Sequence, residues 1–237
     1  MGVENLNPTI PDPSPGSCLP DIALLPPADR RLLAGYLQAK QFICAAGHGD
    51  DIEWAEGLGR ILPNPIYVMR EAAWVVLNSG FRYEVVLKMW PRLSAAFHGF
   101  DPAKITDACK PAALKVLHYQ KKIDAIVAIA MVVREDLDGL LRDRHEPEKL
   151  CRLPFIGPVT CYHLAKLLGA DTVKPDVHLT RAAKAAGTTP QELCRLLGCL
   201  TGDRVTTADS VLWRWGQLKR AREEDWAGLW NNMNDAE

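Results

Sequence analysis

The spacing of apolar residues is the feature of this sequence that most restricts its fold. From Asp29 onward they recur every three to four positions, which is the period of one face of an α-helix. The apolar runs at 75–77 and 132–133 are too short to outweigh the helical pattern around them, and convincing two-residue alternation is absent. We therefore predict an all-α protein of roughly ten helices.

The predicted helices are joined by short polar connections. The clearest helix start is Asn64-Pro65, because an asparagine side chain caps the first backbone N–H groups and a proline needs no N–H at the first helical position. No repeat of fixed period is present, so a solenoid is not predicted. The candidate helices in the first half of the chain span 52–62, 66–77, 83–89, 91–97, 102–108 and 112–133.

The two ends of the chain differ in composition from the middle. Residues 1–28 are rich in proline and contain no lysine or arginine, which predicts a flexible arm. Residues 221–237 carry one arginine against five acidic residues, which predicts an acidic tail after a helical domain at 29–220. Residues 30–220 hold 27 basic and 20 acidic residues, a net charge of +7. This charge is compatible with a polyanionic partner, although many enzymes reach it.

Several protein classes are excluded by missing patterns. No apolar run approaches the length of about 18 residues that a membrane span needs, and the N-terminus lacks the basic and apolar segments of a secretory signal. Seven scattered cysteines favour reduced thiols. We therefore expect a cytoplasmic protein that is not associated with a membrane. Motifs for nucleotide hydrolysis, dinucleotide redox chemistry and zinc proteolysis are absent.

Residues 147–169 carry the strongest functional signal. A short helix at 147–152 precedes a tight turn with the sequence LPFIG, and a second helix then begins at Pro158 and closes at Gly169. We expect backbone N–H groups near Gly157 and the second helix start to point outward, where they suit a phosphate oxygen. Gly157 also lets a nucleic-acid backbone approach without a Cβ in the way.

This segment resembles the hairpin of the helix-hairpin-helix DNA glycosylase superfamily, which commonly reads Leu-Pro-Gly-Val-Gly before a helix. Four of the five positions fit, and Phe155 stands where the family has its first glycine. Family members place a catalytic aspartate after the hairpin, within Asp-X-His/Asn-X-X-Arg, and here Asp176 follows Gly157 by 19 residues in the sequence KPDVHLTR. Residues 78–81 and 96–102 are similar to a base-pocket loop and to a segment of 3-methyladenine glycosylases. The resemblance covers about residues 30–220.

The resemblance implies a two-lobed, all-α glycosylase fold with a DNA groove between the lobes. One lobe would come from about 65–175 and the other from the N-terminal and C-terminal helices. The implied activity is that of a DNA glycosylase, which flips a damaged or modified base out of the duplex and hydrolyses its N-glycosidic bond, leaving an abasic site. Asp176 is the implied catalytic residue, because a carboxylate near C1′ stabilises a positively charged sugar and orients water. Its ordinary role as N-cap of a helix at 177–186 is compatible with this.

Further site residues follow from the same resemblance. Asn78 either caps a helix C-terminus or contacts the base, and Trp74 fits a core position better than a stacking one. His178 and Arg181 fit local structural roles as well as phosphate contacts. The candidates for the base pocket or for insertion into the duplex are Asn78, Trp74 and Ser79. The candidates for binding the DNA backbone are Phe155, Ile156, Gly157, Val159, Thr160, His178 and Arg181.

Departures from the family pattern narrow the expected chemistry. Lyase-competent members carry a lysine where this chain has Val159, so the resemblance implies a monofunctional enzyme, while the nearby Lys166 and Lys174 leave weak lyase activity open. Near the C-terminus only Cys194 and Cys199 are present, too few for the iron–sulfur cluster of some members. The N-terminal Cys18 has no nearby histidine for zinc. We expect no metal and no cofactor.

The identity of the substrate base stays open. The chain lacks the defining features of the uracil/thymine-mismatch, adenine-mismatch and oxidised-pyrimidine branches. A bulky modified cytosine of phage DNA, such as glucosylated hydroxymethylcytosine removed as a defence, is one candidate substrate. The alternatives are repair of alkylated bases, as in 3-methyladenine glycosylases, and a non-catalytic DNA-binding module. The expected partner is double-stranded DNA, bound by a monomer.

Overall fold

The computed structural model describes residues 21–60 and 63–231. Within these ranges the regular structure is entirely helical and contains no strand, which confirms the all-α prediction. No helix in these ranges is long and apolar enough to cross a membrane. The predicted flexible arm lies outside the described residues for positions 1–20. Its last part is described, and a short 3-10 helix at Ile22–Leu24 precedes the first α-helix there.

Twelve α-helices occur in the described ranges. They are α1 (Pro27–Ala45), α2 (Gly49–Gly57), α3 (Pro65–Asn78), α4 (Tyr83–Ala96), α5 (Lys110–Leu114), α6 (Gln120–Glu135), α7 (Leu137–Asp143), α8 (Thr160–Leu167), α9 (Val177–Ala185), α10 (Pro190–Thr201), α11 (Val205–Lys219) and α12 (Glu223–Asn231). Further 3-10 helices lie at His98–Phe100, Asp107–Cys109 and Pro147–Arg152.

Local signals set several of the helix starts. The Asn64 side chain accepts a hydrogen bond from the Tyr67 N–H at 2.9 Å, as the sequence predicts. The two helices predicted at 83–97 are one helix, α4, which continues through the exposed Pro91. The helix predicted at 112–133 is divided, because Tyr119 takes an extended φ of −138° before α6. The predicted helix at 102–108 is reduced to a single 3-10 turn.

Most of the buried apolar side chains in the described ranges fall into two clusters. The first is built from one continuous stretch of chain, from Val68 in α3 to Ala170 after α8. The second combines α1 and α2 with helices α9 to α12. The chain crosses from the first cluster to the second between Ala170 and Val173. The helices therefore pack in two groups, and the assignment of these groups to a glycosylase fold stays a prediction.

The described part of the predicted acidic tail, residues 221–231, contains helix α12. Its residues Ala221, Trp226, Leu229 and Trp230 belong to the second cluster, where Trp226 is fully buried and the Trp230 indole N–H donates to the Ala182 carbonyl at 3.0 Å. The acidic residues of this segment occupy the first turn of α12, where negative charge suits the helix dipole. The acidic composition of this segment gave no indication of the buried tryptophans that follow these residues in α12.

Candidate functional site

Residues 147–169 form a helix, a turn and a second helix, as predicted. In the turn, the Ile156 N–H donates to the Leu153 carbonyl at 3.1 Å. Helix α8 begins at Thr160, two residues later than predicted, and it is followed by Gly169 with a left-handed φ of 95°. The sequence signals for this unit are local, which explains why its position was predictable.

Phe155 adopts a left-handed backbone conformation with a φ of 66°. This conformation costs an L-residue about 1–2 kcal/mol, and glycine takes it without that cost. Phe155 is the position where the resembling family has its first glycine. Gly157 has no such backbone requirement, and a Cβ built on it would meet only the Thr160 hydroxyl, at 4.0 Å. Within the turn, the backbone conformation that favours glycine therefore occurs at Phe155. The space beside Gly157 is open.

The N–H groups of the turn are not all free. The Gly157 N–H donates to the Thr160 hydroxyl at 2.7 Å, so it does not point outward as expected. The N–H groups of Val159 and Thr160 have no hydrogen-bond partner among residues 21–60 and 63–231. The free donors of this surface thus lie at the start of α8 and not at the glycine itself.

The loop after α3 lies against this turn. Ser79 and residues 155–160 together line a shallow groove of about 380 Å³. Asn78 turns back onto its own helix, where its Nδ2 donates to the Trp74 carbonyl at 2.9 Å. Trp74 packs edge-to-face on Tyr83 and Trp90 with centroid distances of 5.6 and 5.1 Å, a core position. Of the three candidates for the base pocket, Ser79 is therefore the one that faces the groove.

Lys122 on α6 connects the loop to the turn, although the sequence analysis did not single it out. Its ammonium donates to the carbonyl oxygens of Leu77 and Ser79, at 3.3 and 2.6 Å, and to that of Val76. The side chain is 2% exposed, and burial lowers the pKa of Lys122 to about 8. The sequence does contain one signal for the burial of Lys122, because this residue precedes Ile126 by four positions and therefore lies on the apolar face of its helix.

Three aromatic rings surround the same ammonium. Its Nζ lies 5.0, 5.8 and 5.2 Å from the ring centroids of Phe81, Tyr119 and Phe155. The Tyr119 ring also meets the rings of Phe81 and Phe155 edge-to-face, at 6.3 and 6.0 Å. Cation–π attraction and ring packing therefore act on the turn and on the loop at once.

Asp176 caps the N-terminus of α9. Its Oδ1 accepts hydrogen bonds from the N–H groups of His178 and Leu179, at 2.9 and 3.3 Å. The Lys174 ammonium lies 3.5 Å from Oδ2, and the Asp176 side chain is 14% exposed. One carboxylate oxygen is thus held by the helix, and among the described residues the other is engaged only by an ion pair with a partly exposed lysine.

A buried ion pair connects α8 to the segment that carries Asp176. Lys166 on α8 pairs with Asp209 on α11, and these residues are 6% and 1% exposed. The Asp209 Oδ1 also accepts the Lys174 backbone N–H at 3.2 Å. Burial raises the pKa of the Asp209 carboxyl, and the Lys166 ammonium opposes that rise. The hairpin helix, α11 and the chain leading to Asp176 therefore form one hydrogen-bonded unit.

His178 and Arg181 are engaged in contacts within the second cluster. The His178 Nδ1 is buried without a hydrogen-bond partner among the described residues, and a Cβ on Gly216 would come within 2.9 Å of it. Burial lowers the pKa of His178, which favours the uncharged ring. Arg181 donates to the Ala221 carbonyl at 3.2 Å. These contacts fit the structural roles considered above, and the proposed phosphate contacts of both residues stay predictions.

The structure brings the candidate residues together in two places. Ser79 and the turn at 155–160 share a groove, and Asp176 lies beside Lys174 at the start of α9. Helix α8 and its ion pair with Asp209 join the two places. No protein-family model, no curated protein and no solved structure matches this chain.

Proposed function

We propose that this protein is a monofunctional DNA glycosylase that hydrolyses the N-glycosidic bond of a modified or damaged base flipped out of duplex DNA. The observation that carries the proposal is the geometry of Asp176. The helix holds one of its carboxylate oxygens, and the contact of the other within residues 21–60 and 63–231 is with the Lys174 ammonium. A carboxylate fixed in this way has the charge and orientation that a developing sugar cation requires.

The turn and the start of α8 support binding to the DNA backbone. The N–H groups of Val159 and Thr160, which have no partner among the described residues, suit a phosphate oxygen. The left-handed backbone of Phe155 supports the hairpin assignment, since this phenylalanine stands where the resembling family has a glycine and glycine adopts that conformation without strain. The net charge of +7 over residues 30–220 favours the approach of a polyanion.

The proposed reaction needs few groups. As the C1′–N bond breaks, its electron pair leaves with the base, and the Asp176 carboxylate stabilises the positive charge on the sugar. A water molecule oriented by the same carboxylate then bonds to C1′ and gives up a proton, and the base takes up a proton as it leaves. Lys174 pairs with Asp176 in the absence of DNA, and a phosphate of the bound strand offers this ammonium a second anion.

The monofunctional assignment rests on the positions of the lysines. Val159 stands where lyase-competent members of the resembling family have their nucleophilic lysine. Lys166 is buried in its pair with Asp209, so its amine is not available to a sugar. Lys174 is the partly exposed lysine in contact with Asp176, and its ammonium is engaged in that ion pair. Efficient lyase activity needs a free amine that forms a Schiff base with the sugar, and neither Val159 nor the two paired lysines supplies one.

The substrate base is the part of the proposal to be found by experiment. Base release into solution is measured by mass spectrometry on duplexes that carry alkylated purines or glucosylated hydroxymethylcytosine. Wild-type protein is expected to release one of these classes and to leave an intact abasic strand. DNA binding without release from any duplex would identify a non-catalytic DNA-binding module instead.

Asp176→Asn tests the proposed catalytic residue. Asparagine caps a helix about as well as aspartate, so the fold is expected to persist, while the loss of charge is expected to lower base release by about 100-fold or more. Duplex affinity is expected to stay within about tenfold of wild type. The matched control is Asp171→Asn, because the Asp171 carboxylate accepts the N–H groups of Val205 and Thr206 at the start of α11. An equal loss of affinity and rate in Asp176→Asn would reduce Asp176 to a structural cap.

A further inference from the structure

The buried ammonium of Lys122 takes no part in the reaction proposed above. It contacts three backbone carbonyls and three aromatic rings, and it forms no salt bridge with the described residues. A buried cation without a carboxylate partner is costly to desolvate, and an apolar side chain of similar length would fill the same space. Stability alone therefore gives little reason for a lysine at this position.

The carbonyl contacts fix the end of α3. The last carbonyls of an α-helix have no partner within the helix and carry the negative end of its dipole. Lys122 supplies donors to the carbonyls of Val76 and Leu77 from a neighbouring helix, and to the Ser79 carbonyl in the loop beyond. The position of Ser79 is thus set by the Lys122 ammonium, and Ser79 lines the groove beside the turn.

The aromatic contacts act on the other side of the groove. The left-handed backbone at Phe155 is unfavourable for a residue with a side chain unless other contacts offset its cost. Its ring lies 5.2 Å from the Lys122 Nζ and packs edge-to-face on Tyr119. These contacts stabilise Phe155 in a backbone conformation that otherwise favours glycine. One ammonium therefore holds the loop by its carbonyls and the turn by a ring.

We propose that Lys122 is a positioning residue that holds the 79–82 loop and the 153–157 turn in the relative placement that duplex DNA requires. The dependence on DNA rests on the proposed function, whereas the mechanical link between the two segments does not. A residue that acts in this way touches neither the phosphate nor the base. Its removal shifts two DNA-facing segments at once and leaves the start of α9 in place.

Amide hydrogen exchange tests the mechanical link without DNA. Lys122→Met replaces the ammonium by an apolar side chain of similar length, and Lys121→Met is the matched control on the exposed face of the same helix. The N–H groups of Phe81 and Ile156 are expected to exchange about tenfold faster in Lys122→Met, with Thr180 on α9 unchanged. An unchanged rate at either Phe81 or Ile156 overturns the proposal.

A second variant covers the case in which Lys122→Met does not fold. Tyr119 is 40% exposed, so Tyr119→Leu removes one ring from the ammonium without opening the core. Exchange at the Phe81 and Ile156 amides is then expected to rise about threefold. Rates equal to wild type in Tyr119→Leu would contradict the role given to the ring contacts.

A double-mutant cycle with Phe155→Gly tests the consequence for DNA, with a short unmodified duplex as the probe. Lys122→Met is expected to weaken duplex binding about tenfold in the wild-type background and about threefold in Phe155→Gly, where glycine holds the turn without the ring and only the loop loses its contacts with the ammonium. Equal losses of duplex affinity in both backgrounds would overturn the proposal that Lys122 acts on the turn through the Phe155 ring. If wild-type protein binds no duplex at all, the proposed function fails, and the exchange experiment alone decides the role of Lys122.

Discussion

Removing one partner of the buried pair between Lys166 and Asp209 is expected to destabilise the protein far more than removing both. In Asp209→Leu the Lys166 ammonium stays almost fully buried without its carboxylate, which costs about 3–5 kcal/mol. The same change takes the acceptor from the Lys174 N–H, which adds about 1–3 kcal/mol. The expected loss in unfolding free energy for this variant is therefore about 5 kcal/mol.

Removing the lysine instead of the aspartate is expected to lower the unfolding free energy by a smaller amount. Lys166→Met leaves the Asp209 carboxyl buried, and because burial already raises its pKa, this group can take up a proton in place of its lost partner. We expect a loss of about 3 kcal/mol for this variant. In the double variant no charge is left buried and the Lys174 N–H alone lacks its acceptor, so the expected loss is about 1–2 kcal/mol.

The three values are measured by urea unfolding followed by far-UV circular dichroism. The midpoints give the change in unfolding free energy as long as the slopes agree among the variants. A loss of less than about 1 kcal/mol in Asp209→Leu would refute the burial argument. A double variant with a loss equal to the sum of the two single losses would show that Lys166 and Asp209 do not interact.

Two further predictions concern the proposed DNA contacts. Gly157→Glu is expected to fold normally, because a Cβ there meets only Thr160 at 4.0 Å, and to weaken duplex binding by about 2–3 kcal/mol, with a salt dependence shallower by about one phosphate contact. Fluorescence anisotropy over a salt series checks this against Gly49→Glu, an equally open glycine, and unchanged affinity in Gly157→Glu would remove the turn from the binding surface. Borohydride treatment of a wild-type reaction is expected to trap no covalent protein–DNA adduct, and strong trapping that disappears in Lys174→Met would replace the monofunctional mechanism by a Schiff-base one.

The parts of the fold that were predictable depend on neighbours in the chain. Asn64 and Asp176 each cap a helix through N–H groups two or three residues away, so a short window of sequence contains the whole interaction. The turn before α8 is local in the same sense. The burial of Trp226 was missed because it depends on α1 and α9, which are distant in the sequence, while the acidic residues beside it dominate the local composition.

The candidate site was predictable only in part for the same reason. The family resemblance singled out Asp176 and the turn as candidates, but it did not show that the Gly157 N–H is taken by the Thr160 hydroxyl. The carbonyl contacts of Lys122 join residues more than 40 positions apart, and no local pattern encodes which carbonyls a lysine reaches. The left-handed backbone at Phe155 was not predicted, and the rings around it follow from packing.

The division of buried side chains into two clusters has a consequence for folding during synthesis. The first cluster is continuous in the chain, so all of its helices have been synthesised once α8 is made. The second cluster contains α1 and α2 together with helices that follow α8. Helices α1 and α2 are therefore synthesised well before the helices that cover them. Tyr36 and Ile43, both fully buried in the finished protein, stay uncovered during that interval. The N-terminal helices are therefore the part of the nascent chain most exposed to aggregation and to chaperone binding.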